Sequence, residues 1–177
     1  GEKHTLPHPV DNISPDGRWA LGVDFSRVGE KRPGYGYAGV PDPRADEAAP
    51  EDSGVYRLDL QTGERHLLVS CRQVASIPFE GIGGGERHYI NHVQWSPDGR
   101  RFLFLSRTDG PHWGDTTRMF TAAADGSDLR LVHVGSSHYC WRDPEHIAIW
   151  SDGAYRLHRD SAVPAAQVLW AAPNGHQ

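Results

Sequence analysis

One short turn recurs along this chain, and it restricts the fold more than any other feature. Ser-Pro-Asp-Gly stands at 14–17 within "NISPDGRWALGVDFS" (12–26) and at 96–99 within "QWSPDGRRFLFLSR" (94–107), each time between apolar runs. Proline presets φ at the first turn position, aspartate tolerates the tight conformation and glycine supplies positive φ, so the flanking runs fold back as a hairpin. A third segment, "SHYCWRDPEHIAIWSD" (137–152), aligns with "NHVQWSPDGRRFLFLS" (91–106) after one deleted residue. Downstream, "GVYRLDLQTGERHLLVS" (54–70), "TRMFTAAADGSDLRLVHVG" (117–135) and "GAYRLHRDSAVPAAQVLW" (153–170) align on Tyr56, Phe120 and Tyr155. The repeating unit therefore reads as strand, turn, strand, connection, strand, Gly-containing turn, strand.

Helical periodicity is nearly absent, and apolar residues alternate with polar ones over five to seven positions, as half-buried strands require. Four antiparallel strands repeated at a fixed period make an all-β chain of β-propeller blades. Blade one is expected over about 8–70 with an insertion at 27–53, blade two over about 88–135 and blade three over about 136–172. Trp95 and Trp141 align with each other and with Ile13, which marks them as core between blades. Closed propellers need about four to eight blades. With three, the expectation is a partial propeller that continues in a longer chain or is completed by a homo-oligomer.

Composition removes some functions. The chain has 177 residues, a hydrophobic fraction of 37% and a formal charge of −5, enough for a core and too acidic for a nucleic-acid surface. The basic pairs Lys31–Arg32 and Arg100–Arg101 are isolated. No apolar run reaches the roughly 20 residues of a membrane helix, so neither nucleic acid nor membrane is expected as a partner. Cys71 and Cys140 read as two small buried thiols, compatible with a periplasmic or secreted protein and with a bacterial cytoplasmic one. "GIGGGE" (81–86) lacks the lysine and helix of a phosphate loop and reads as a connector.

In such a fold the start of each inner strand and the connection between second and third strands share one mouth. His88 and His92 open the inner strand of blade two, and His138 aligns with His92 in blade three. The connections "SRVGEKRPGYGYAGVPDPRADEAAPEDSG" (26–54) and "SRTDGPHWGDTTR" (106–118) bring Tyr35, Tyr37, Asp42, Arg107, His112, Trp113 and Arg118 to the same side. The acidic, Pro-rich stretch 41–52 reads as a solvated loop.

The "WSPDG" turn after an inner strand resembles the TolB-like propellers. "HYINHVQWSPDG…FLFLSR" with "SHYCWRD" further resembles the propeller polysaccharide lyases, the oligogalacturonate and ulvan lyases. That resemblance implies β-elimination on uronate-containing, hence acidic, oligosaccharides, with His92 as base, His88 or Tyr139 as its acid partner and Arg142 as carboxylate clamp. Tyr35, Tyr37, Arg107, His112, Trp113 and Arg118 would bind substrate. It also implies a divalent metal, and His88, His92 and His138 are candidate ligands for Mn²⁺ or Zn²⁺. The alternative from another class is a non-catalytic propeller that binds a glycan or protein partner through Tyr35, Tyr37 and Trp113.

Overall fold

The structure, a computed structural model, describes residues 5–78, 86–109, 117–136, 138–151 and 153–162. It is an all-β arrangement, 44% strand and 8% helix. Sheet 1 is built from β1 (Asn12–Ile13), β2 (Trp19–Val23), β3 (Gly54–Asp59) and β4 (Arg65–Ser70) in sequence order. Sheet 2 follows with β5 (His88–Trp95), β6 (Arg101–Thr108), β7 (Arg118–Ala123) and β8 (Arg130–Val134), again in order. Sheet 3 has β9 (Tyr139–Asp143), β10 (His146–Ser151) and β11 (Ala154–Arg159). All pairings are antiparallel between neighbours in sequence, as tight turns between strands dictate. The fourth strand expected for the last unit falls on 163–172, outside the described residues, as does most of "GIGGGE".

The recurring turn has one hydrogen-bond pattern at both sites. Ser14 Oγ donates to Asp16 and accepts the Trp19 amide, while Gly17, at φ 70°, donates its N–H to the Ser14 carbonyl. Ser96, Asp98, Gly99 (φ 69°) and Arg101 repeat these contacts. The serine thus closes the hairpin that proline and glycine bend. In sheet 3, Asp143 takes over by accepting the Glu145 amide and contacting His146 Nδ1.

Sheet 2 lies between the other two, and alternation along β6 shows it. Phe102 and Phe104 join Leu21, Val23, Val55 and Val69 of sheet 1, while Leu103 and Leu105 join Trp141, Ile147 and Ile149 of sheet 3. Because both faces are covered, β6 carries an unbroken apolar run, where sequence alternation led us to expect half-buried strands. Trp95 and Trp141 are buried in the two interfaces, as expected, whereas Ile13 is exposed. At Gly126 (φ 88°) a Cβ would lie 2.3 Å from the Leu68 carbonyl oxygen, so only glycine lets this turn of sheet 2 meet β4.

Three expectations need correction. The insertion opens with a helix, α1 (Phe25–Lys31), capped by the Asp24 side chain, and a second helix, α2 (Cys71–Ala75), begins at a Ser70–Gln73 capping box. The stretch 41–52 is not simply solvated: Asp42 is buried and paired with the fully buried Arg27 at 2.8 Å. Of the two thiols, Cys71 is buried and its pKa is pushed up to about 12 by that burial, but Cys140 is exposed. No described helix is long and apolar enough to cross a membrane.

Candidate functional site

The candidate site grows from an irregularity in β5. Asn91 pairs with Leu105 and Gln94 with Leu103, so His92 and Val93 together oppose Phe104 in a β-bulge. His92 takes φ 56°, a left-handed conformation that costs a non-glycine residue about 1–2 kcal/mol. In a regular strand His88 and His92 would share a face. The bulge instead sends them to different surroundings.

His92 is exposed beside a cleft of about 390 Å³ lined also by Asp11, Asn12, Val93, Gln94, His138, Tyr139 and Tyr155. Its ring lies 6.3 Å from that of Tyr35, and the Arg32 guanidinium sits 3.7 Å over the Tyr35 ring. The Tyr139 hydroxyl, reaching across from sheet 3, donates to the His92 carbonyl and so holds the bulge. Partial withdrawal from water, then the charges of Arg107 and Arg32, hold the His92 imidazole below its ordinary pKa, in the neutral form a base requires. Burial and the nearby Asp11 carboxylate raise the Tyr139 phenol, making it a poor acid and a durable hydrogen-bond donor.

Arg107 is the charge centre of this corner. It is 2% exposed, sits opposite Tyr89 in the β5–β6 ladder and hydrogen-bonds its side chain. No carboxylate lies within ion-pair distance of it among the described residues, and its Nε is without a hydrogen-bond partner there. Among the described residues no carboxylate balances this guanidinium, which lies behind the cleft lining and within electrostatic reach of His92 and Tyr139, a placement that favours an anionic group nearby.

The remaining candidates are placed elsewhere. His88 opens β5 but is buried on the side of Arg27 and Arg118, its Nδ1 without a hydrogen-bond partner among the described residues. Arg118 is buried, donates to the Ile77 carbonyl and lies 5.2 Å over the Phe120 ring. Burial pushes its pKa down to about 10. Arg142 is the residue skipped at the β9–β10 bulge, exposed and 3.6 Å from Asp143, outside the cleft lining. Tyr37 stacks on Phe25 at 5.2 Å and remains half exposed. His112 and Trp113 lie outside the described residues. His88, His92 and His138 are not gathered into one ligand set, and no group of three His, Cys, Asp or Glu side chains suited to a metal occurs among the described residues. Sequence reasoning missed Arg32, Tyr89 and Asp11. Tyr89 comes opposite Arg107 only through the bulge, since the register set by the turn, Trp95 with Phe102, would put Thr108 there.

Burial of His88 has a consequence for stability. Loss of water first, then Arg118 and Arg27, push its pKa down to about 4 from 6.5. Between these values the unfolded chain takes up a proton that the folded chain refuses, so stability falls as pH drops from about 6.5 to about 4, by up to about 3 kcal/mol. Urea unfolding at pH 7 and pH 4.5 is expected to show this slope, and His88→Asn to flatten it. An unchanged slope in the variant would remove His88 as its source.

No family model matches the sequence, and a search of curated proteins likewise finds no match.

Proposed function

We propose that the three sheets are successive blades of a β-propeller, and that the chain acts on uronate-containing oligosaccharides by β-elimination at the cleft beside His92. The observation that carries this reading is Arg107, a buried cation lacking a carboxylate partner among the described residues, next to an imidazole kept neutral. Elimination needs both. The C5 proton of a uronate becomes removable only when its carboxylate is neutralised, which stabilises the developing enolate. Arg107, with Arg32 nearby, meets that carboxylate, and His92 takes the proton. The electron pair left on C5 forms the C4–C5 double bond and expels the glycosidic oxygen. Tyr35 or His138, both beside His92, returns a proton to that oxygen.

This assignment moves the carboxylate clamp from Arg142 to Arg107 and the acid role away from His88 and Tyr139. The divalent metal implied by the resemblance finds no ligand set among the described residues, and no step runs through it. The partner on this reading is an acidic oligosaccharide.

The test is formation of unsaturated uronate, followed by its near-ultraviolet absorbance, with pectic and ulvan-type oligosaccharides. Arg107→Gln is expected to weaken binding of a saturated oligouronate about 10–100-fold, the worth of one charge-assisted pair. Equal affinity in variant and parent would remove Arg107 from the site. The half-exposed rings of Tyr35 and Tyr37 favour one second reading, a non-catalytic glycan-binding face. Binding of oligouronate without product would select it.

A further inference from the structure

A folded chain rarely leaves a buried polar group without a hydrogen-bond partner, because each one gives up its hydration for nothing. The face of sheet 2 that meets sheet 3 carries three residues of this kind. Asn91 is 4% exposed, and neither its Oδ1 nor its Nδ2 has a partner among the described residues, so exchanging the two atoms would not satisfy it. Arg107 is buried beside it with Nε unmet, and the half-buried Gln94 keeps Oε1 unmet. The ladder puts all three on one surface. Asn91 stands opposite Leu105 and Gln94 opposite Leu103, both in the apolar cluster with Trp141 and Ile147 of sheet 3, and Arg107 follows Leu105 two residues along β6. Asn91 and Arg107 are therefore diagonal neighbours, a spacing that a long side chain spans.

This strip starts in the cleft beside His92, where Gln94 forms part of the wall, and runs inward about 7 Å, the separation of next neighbours on one face of a strand. An amide alone suits many polar groups. An amide N–H beside a cation that no described carboxylate balances selects an anion with two acceptor oxygens. We infer that Asn91 and Arg107 hold the substrate's carboxylate between them, Asn91 Nδ2 donating to one oxygen and Arg107 Nε to the other, while Asn91 Oδ1 accepts from a hydroxyl of the same sugar. The inference rests on the oligouronate reading and adds a specificity to it: a free uronate is taken and its neutral methyl ester refused, because an ester cannot balance Arg107. Gln94, whose Oε1 breaks no hydrogen bond on moving, is the side chain that swings aside to uncover the two donors.

Titration of the full chain with a saturated oligouronate and with its methyl ester, beside urea unfolding, tests this. The acid is expected to bind the wild type about 10–100-fold tighter than the ester, and Asn91→Leu to weaken acid binding by a similar factor. The urea midpoint of that variant should hold or rise, since leucine fills a like volume and leaves no amide unmet. Asn91→Asp is the second variant: its carboxylate would take the ligand's place beside Arg107, so acid binding is lost while the midpoint at pH 7 holds. A midpoint far below wild type overturns the inference, because a carboxylate at 91 is then stranded away from Arg107. Acid affinity unchanged in Asn91→Leu also overturns it and leaves the amide to an internal water only; Arg107→Gln weakening binding in that case keeps the oligouronate reading without Asn91. Acid and ester bound alike overturn the specificity, and a wild type that binds neither overturns the oligouronate reading and this inference together.

Discussion

Arg27→Met is expected to destabilise the protein by about 3–5 kcal/mol, because it removes one member of a buried ion pair and strands the other. The Arg27 side chain is 1% exposed and Asp42 Oδ2 lies 2.8 Å from its Nη1. Its other donors are aimed at four carbonyls, those of His88 at 2.5 Å, Arg44 at 2.9 Å, Glu47 at 2.7 Å and Ala48 at 3.3 Å. The His88 amide in turn donates to the Ala48 carbonyl at 2.7 Å. One guanidinium therefore fastens the inserted segment to the start of β5, and methionine leaves Asp42 and these acceptors without their donor. Lysine has three donors on a point charge and cannot reproduce the planar fork. Urea denaturation of wild type, Arg27→Met and Arg27→Met/Asp42→Leu decides the point. The double variant is expected to regain much of the loss, since two apolar groups leave no buried charge unpaired. A single variant within 1 kcal/mol of wild type would show that the pair holds nothing.

The second large effect is on activity. His92→Gly is expected to lower the rate of elimination about 10²–10⁴-fold, the usual contribution of a positioned base. Oligouronate affinity should stay within a few-fold, because the carboxylate is held by Arg107. Stability should be unchanged or raised by about 1 kcal/mol, since glycine adopts φ 56° without the strain histidine bears there. Lower turnover with an equal or higher melting temperature separates a chemical role from a structural one. A variant that still forms unsaturated product at the parental rate would take His92 out of the reaction.

The features that were legible in the sequence are local ones. The Ser-Pro-Asp-Gly turns, the hairpins they close and the burial of Trp95 and Trp141 follow from contacts a few residues apart or from a repeated strand position. Helices α1 and α2 left no periodic trace because seven and five residues make at most two turns. Their signals were caps, and "SCRQ" at 70–73 carried the serine and glutamine of the capping box in plain view.

The candidate site was half legible. Tyr35, His92, Arg107, His138 and Tyr139 do come to one corner, while His88, Arg118 and Arg142 do not. For His88 the difference turns on a bulge. One extra residue flips a strand's faces, and nothing in the spacing of His88 and His92 announces that β5 slips between them. On β9 plain alternation decides: Trp141 turns into the core, so its neighbour Arg142 faces away. Arg27 and Asp42 were invisible as a pair because their 15-residue separation is bridged only by the folded insertion.

The hydroxyl of Tyr139 on the His92 carbonyl gives the cleft a property that neither sheet has alone. The imidazole sits on one sheet and the clasp on its backbone comes from the next, so the geometry around His92 is finished only when sheet 3 has docked. A chain whose third sheet swings away keeps its hairpins and the core between sheets 1 and 2 but loses its grip on the bulge, so local opening at that seam would loosen the backbone at His92 without global unfolding.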